Sequence, residues 1–265
     1  MLNIAVTTDS NFLYYTVVLI KSIIANTDSC LGWLFVRLVD CDNNIHNIVK
    51  SISPKIRIII DNANLSRKNT IMMRGVDVNH PRFSSLRARL CSPHHCYCAH
   101  SKFSNLQELL NLELDNILIL DADKIVRRNL EPLVSNLYSY DMCLKRENIS
   151  TFLDIRGMRI YSEAVMVFKN TQHTRMFART LLDEYNEVKK TSKFDIDSDT
   201  TSLAKTVHKY SCVSILDMPP EYQDTSMSDD SYIWSGQANV KQSDRFLSEC
   251  MKYEDNSIYR KCKLL

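Results

Sequence analysis

The stretch Leu118-Ile119-Leu120-Asp121-Ala122-Asp123 decides the reading of this chain. Ile117 to Leu120 form a short apolar run, the pattern of a buried strand, and two acids follow it at once. A strand that ends this way delivers both carboxylates to the carboxyl edge of a sheet, where open α/β sheets bind ligands. Two carboxylates this close repel each other unless a cation lies between them. Hard divalent ions such as Mn²⁺ or Mg²⁺ suit oxygen ligands and bridge to substrate phosphates. A bare Asp-x-Asp is also a common polar turn after a strand. The apolar run before it, and Lys124-Ile-Val-Arg-Arg-Asn-Leu-Glu-Pro-Leu133 after it, are the context that points to a site.

Outward from this centre, Leu2–Thr7, Leu34–Val39 and Ile56–Ile60 read as strands. Phe12, Tyr15, Leu19, Ile20 and Ile23 follow a helical period between the first two. Strand, helix, strand implies a parallel, doubly wound sheet. A helix is expected from Ser101 to about Leu114, on Phe103, Leu106, Leu109 and Leu110, with the Cys/His-rich segment before it read as loop. Arg127–Leu133 reads as a turn into a short helix and Ala164–Phe168 as a further strand. An amphipathic helix over 172–190 carries Met176, Phe177, Leu181, Leu182 and Tyr185 on one side. Asp195–Asp199 reads as an acidic loop, Leu203–Val207 as helix and Ile215-Leu216 as a short strand. One α/β domain spanning 1–265 accounts for the length of 265 residues.

Only four glycines are present, which argues against glycine-rich phosphate loops. The net charge of +2 comes from scattered Lys and Arg, so no nucleic-acid footprint is visible. Nine cysteines, an odd number, do not make the framework of a small secreted domain. The N-terminus lacks a basic segment leading into a long apolar core, and no apolar run approaches the roughly 18 residues of a membrane span. The expectation is a cytoplasmic chain without a membrane span.

Asn116–Leu133 resembles the glycogenin-like family of retaining glycosyltransferases, in which a strand ends in Leu-Asp-Ala-Asp and Arg-Asn-Leu follows. Ala5-Val-Thr-Thr-Asp-Ser-Asn-Phe12 is similar to the family's first strand and uridine-binding turn. His100-Ser-Lys-Phe103 resembles its helix motif, and Val165–Phe168 its central strand. Large insect DNA viruses encode compact relatives of this family, and a chain read as signal-free and cysteine-rich resembles one of them. The resemblance implies a GT-A-type, Rossmann-like domain with a mostly parallel central sheet flanked by helices. The nucleotide part would be about 1–135 and the donor-sugar and acceptor part about 136–265. It further implies a UDP-sugar donor, an acceptor of unspecified class, and Mn²⁺ or Mg²⁺ on Asp121 and Asp123. Thr8, Asp9 and Phe12 match the uridine positions, Asp121 also faces the ribose, and Ala122 lies between the two acids. Lys102, Gly236 and Lys241 fall toward the phosphates. Ser162, Glu163 and Asp199 fall toward the donor sugar, with Asp199 or Glu163 placed to stabilise a cationic sugar.

Three departures from the family pattern stand out. Ser162-Glu163-Ala164 replaces an Asn-x-Gly, Asp199-Thr200 replaces an acidic-Gln pair, and Ile233 stands where the family has its third metal ligand, a histidine. These leave open a working hexosyltransferase, a weak hydrolase, or a lapsed transferase kept as a binding or scaffold protein. A zinc-stabilised interaction protein is a further reading, resting on Cys91, His94, His95, Cys96, Cys98 and His100. A homodimer is compatible with any of these.

Overall fold

Along the first strand, β1 (Leu2–Thr8), Leu2, Ile4 and Val6 face one side and Asn3 and Ala5 the other, and both sides are buried. A strand buried on both faces belongs inside a parallel sheet with helices on each side. The computed structural model, which describes residues 1–65, 93–147, 157–191 and 198–254, shows that arrangement. A seven-stranded sheet runs in the order β3 (Ile56–Asp61), β2 (Leu31–Val39), β1, β4 (Asn116–Leu120), β7 (Ile160–Lys169), β6 (Met142–Glu147) and β8 (Ile215–Asp217). A two-stranded ribbon pairs β5 (Lys124–Val126) with β9 (Ile233–Ser235).

One core layer packs α1 (Leu13–Thr27), α2 (Asn43–Ser51) and α4 (Glu131–Asn136) on the sheet through Val17, Ile20, Val49 and Leu133. The opposite layer packs α3 (Pro93–Leu110), α5 (Gln172–Thr191) and α6 (Ser198–Lys209) through Phe103, Leu106, Phe177, Leu181 and Leu203. A third cluster, Val18, Ile125, Trp234 and Phe246, seats α7 (Asp244–Met251) against the β5–β9 ribbon. The chain is thus a single α/β domain with a mostly parallel central sheet flanked by helices. No helix among the described residues is long and apolar enough to cross a membrane.

Several elements differ from the sequence reading. Strand β7 runs antiparallel to both β4 and β6, because an apolar run does not encode direction. The third helix starts at Pro93, so residues 93–100 are helix and not loop; proline fits a first helical position, where its missing N–H is not needed. The turn after this helix takes a left-handed φ of 55° at Glu113. Asp199 lies in the first turn of α6 and not in a loop, while Asp195 and Asp197 fall outside the described residues. On α5, Phe177, Leu181 and Tyr185 are buried but Met176 is exposed. Cys91 and the side chains of His94, His95 and Cys96 also lie outside the description. Cys98 is a thiol whose pKa is pushed up, chiefly by burial, and the His100 ring packs 4.8 Å from Tyr185.

Asp141 closes the far edge of the sheet. Its Oδ1 accepts from Thr171 Oγ1 at 2.8 Å, and its Oδ2 from Ser214 N and Oγ, both at 2.9 Å. Burial pushes this carboxyl up, but the donors on Ser214 and Thr171 outweigh it, and the folded pKa is lowered. Its contribution is therefore present above the unfolded pKa and lost as pH falls through the folded one. Asp141→Ala is expected to cost about 1–3 kcal/mol at neutral pH. In urea unfolding the gap from wild type should close in acid; a gap that does not change with pH would contradict this role.

Candidate functional site

The cleft lies at the carboxyl ends of the neighbouring parallel strands β1 and β4, which pair Val6 with Leu120. Thr7, Thr8, Asp9, Phe12, Cys98, Lys102 and Asp121–Asp123 line it. After β1 the chain turns at Asp9, whose Oδ1 caps the next residues by accepting from Asn11 N at 3.0 Å and Phe12 N at 3.1 Å. Thr8 Oγ1 accepts from Thr16 Oγ1 at 2.7 Å. The turn presents the Phe12 ring at the cleft. Lys241 Nζ sits 4.8 Å from that ring, a cation–π distance.

Lys102 comes from mid-helix. Arg37 fixes that helix to the sheet through ion pairs to Asp61 (3.0 Å) and Glu108 (2.5 Å). Asn105 Nδ2 adds a bond to Thr7 Oγ1 at 2.6 Å. Lys102 is buried, and its Nζ reaches Asp121 Oδ1 at 3.3 Å, Asp199 Oδ2 at 3.5 Å and the Glu163 carbonyl at 3.5 Å. Burial pulls its pKa down, but Asp121, Glu163 and Asp199 outweigh burial and raise it. It is thus a buried residue inside the helix and not one at the helix start expected near Ser101. Thr200 joins the group by donating its hydroxyl to Glu163 Oε2 at 3.1 Å and its N–H to Asp199 Oδ1 at 2.8 Å.

The sequence reading passed over Lys124. It is 2% exposed, a rare state for lysine. Its Nζ lies 2.5 Å from Asp123 Oδ1 and 3.8 Å from Asp121 Oδ2. Lys241 Nζ approaches Asp123 Oδ2 at 3.9 Å. Each of the four oxygens of the aspartate pair therefore has a lysine ammonium within 4 Å. The visible signal was a lysine directly after the second aspartate, heading the apolar pair Ile125-Val126.

This arrangement tests the expectation of Mn²⁺ or Mg²⁺. Ile233, in the expected third-ligand position, is fully buried in the apolar core with Val126 as its register partner. Among the described residues no group of three His, Cys, Asp or Glu side chains could hold a metal ion. A divalent ion about 4 Å from an ammonium would be opposed by about 4 kcal/mol per unit of its charge at an effective dielectric near 20. The side chains as placed do not fit a divalent ion between Asp121 and Asp123.

Gly236 packs against the backbone of Asp123. Its N–H donates to the Asp123 carbonyl at 2.8 Å, and an added Cβ would meet that oxygen and Phe246 Cζ, each at 2.8 Å. Ser162 is buried on β7 and accepts from Gln223 Nε2 at 2.7 Å; it is not among the residues lining the cleft.

Comparison with known proteins places this geometry. Residues 3–144 match the model of glycosyl transferase family 8. The chain belongs to that family. Its fold is similar to the galactosyltransferase LgtC, solved with donor and acceptor sugar analogues: 13% identity over 98% of this chain and 99% of that one, TM-score 0.62. It is similar also to the glycosyltransferase GlyE of Streptococcus pneumoniae, at 12% identity over 97% of this chain and 61% of that one, TM-score 0.60. Mouse xyloside xylosyltransferase 1 in its apo form gives 14% identity, 90% and 98% coverage, and a TM-score of 0.53. No curated protein sequence matches the chain.

Gly236→Ala should force the Asp123 backbone to move and lower stability by about 1–3 kcal/mol; unchanged thermal unfolding would contradict the close approach. Burial raises the Glu163 carboxyl, Asp199 and Asp121 push it the same way against Lys102, and it stands at about 7. Wild-type stability should therefore fall as pH rises from about 4.5 to 7, since unfolding releases the proton that folded Glu163 holds. Glu163→Gln should remove that slope, gaining on the order of 1–3 kcal/mol on wild type between pH 5 and pH 8. Parallel pH profiles of the two proteins would contradict it.

Proposed function

We propose that this family 8 chain transfers a hexose from a UDP-sugar to an acceptor hydroxyl with retention, as the glycogenin-like resemblance implies. The observation that carries the reading is the cleft that joins the Thr8–Phe12 turn, the Asp121–Asp123 pair and Lys102, with Lys124 and Lys241 paired to those acids from beside it. In this reading Thr8, Asp9 and Phe12 hold uracil. The Asp9 carboxylate acts by shaping the turn, because its Oδ1 is committed to Asn11 and Phe12. Ala122 and Gly236 let the backbone approach the diphosphate, and Asp121 faces the ribose. Lys241 is the cation at the rim, with its side chain 23% exposed, able to reach the leaving phosphate.

The bond from the anomeric carbon to the β-phosphate oxygen breaks, and the acceptor oxygen bonds on the same face. The acceptor proton passes to the departing phosphate oxygen. Positioned cations stabilise the charge that develops on the diphosphate. In this reading Glu163 or Asp199, which flank Lys102 behind the cleft, stabilises the cationic sugar. The nucleotide part is about 1–135, and the sugar and acceptor part about 136–265.

A second reading, a lapsed transferase that binds nucleotide sugar without transfer, draws support from Ser162. The hydroxyl that replaces the family's amide is engaged by Gln223.

Calorimetry with UDP, then turnover of UDP-glucose and UDP-galactose, tests both readings. UDP should bind, and Phe12→Ala should weaken it about tenfold, the cost of a lost stacking contact. Binding of UDP and sugar donors with no turnover and no hydrolysis would favour the lapsed transferase. No UDP binding would contradict both.

A further inference from the structure

We infer that Lys124 is a built-in cation that takes the place of a divalent metal at the donor site, so that this chain handles its diphosphate without metal. The inference rests on the nucleotide-sugar reading of the cleft and goes beyond it, since the sequence and the family resemblance both point to Mn²⁺ or Mg²⁺.

Burying a charge costs its hydration. A lysine removed from water is retained only where carboxylates compensate it. Lys124 is buried to the tip, and its partners are the two aspartates that a metal would need. Its backbone belongs to β5, held in register by Ser235 of β9. That pairing, with Gly236 bonded to the Asp123 carbonyl, aims the side chain back at the acids of its own turn. Lys124 is thus positioned by the fold and is not a surface chain that happens to fall there.

The other half of the metal's charge comes from Lys241. Its Nζ meets the opposite oxygen of Asp123 and stands over Phe12 at the cleft. The fixed ammonium of Lys124 offsets one of the pair's two negative charges, Lys102 meets Asp121 from the other side, and the more exposed Lys241 is left to meet phosphate. Together Lys124 and Lys241 carry the two positive charges of a divalent ion. The core position of Ile233 agrees, because a site with its own cation has no use for a third ligand.

The test uses the whole chain, wild type and Lys124→Met, which keeps an aliphatic stem of similar length and removes the charge. UDP affinity is measured by calorimetry in EDTA and in Mn²⁺, and Mn²⁺ binding is measured separately by electron paramagnetic resonance without nucleotide. The wild type should bind UDP within about twofold in the two buffers and take up no stoichiometric Mn²⁺. Lys124→Met should bind UDP at least about tenfold more weakly in EDTA, recover in Mn²⁺, and take up one Mn²⁺. That metal rescue separates a charge role from a structural one.

Wild-type affinity that rises about tenfold or more on adding Mn²⁺, or a stoichiometric Mn²⁺ signal on wild type, would overturn the inference and leave the nucleotide reading standing. So would Lys124→Met binding UDP in EDTA as well as wild type does. If the variant does not fold, the two wild-type measurements decide the question alone. A wild type that binds UDP in neither buffer would remove the nucleotide reading itself, a failure distinguishable because the Mn²⁺ measurement needs no nucleotide.

Discussion

Four carboxylates, those of Asp121, Asp123, Asp199 and Glu163, gather at and behind one cleft, and neighbouring like charges need cations among them. Three lysines supply them. Lys102 bridges Asp121 and Asp199, Lys124 bridges Asp121 and Asp123, and Lys241 meets Asp123 from the rim. The arrangement ties together parts of the chain that are far apart in sequence: the α3 helix, the end of β4, β7, the first turn of α6, and the segment after β9. Removing one lysine would strand buried acid, which costs more than the pair gains by forming. The charge network is therefore a structural constraint as well as the chemistry of the site.

The fold delivers these groups by strand pairing. Parallel β1 and β4 bring the Thr8–Phe12 turn beside Asp121, and Asp121 N donates to Ala164 O of β7 at 3.1 Å. The β5–β9 ribbon carries the chain back so that Gly236 underlies Asp123. The same ribbon is a small apolar structure of its own, with Ile125 and Trp234 packed on Val18 and Phe246. Membership of glycosyl transferase family 8 and likeness to GT-A structures agree with a cleft built at strand ends. In this chain the cation lodged between the two aspartates is a lysine ammonium.

Much of this was legible in the sequence, and the residues show why the rest was not. Leu118–Leu120 and Leu2–Thr7 read as strands because they are buried on both faces, and Phe103 to Leu110 read as helix from their spacing. The Asp121–Asp123 pair and its neighbours Thr8, Phe12 and Lys102 were identified and do meet. The antiparallel course of β7 was not visible, because residue type carries no direction. β5 and β9 are three residues each and owe their existence to each other, so neither has a pattern to read. Lys124 was missed for the same reason: only the ribbon's register turns its side chain inward. Ile233 was read as a lost ligand, whereas its partner Val126 and its core position make it a packing residue.

The central claim is that an ammonium, not a metal ion, lies between Asp121 and Asp123. Anomalous diffraction from crystals of the wild-type protein grown with UDP and Mn²⁺ tests it most directly. The account predicts the Lys124 side chain between the two carboxylates and no manganese peak there. A manganese peak bridging Asp121 and Asp123 to the diphosphate, with Lys124 turned away, would contradict it.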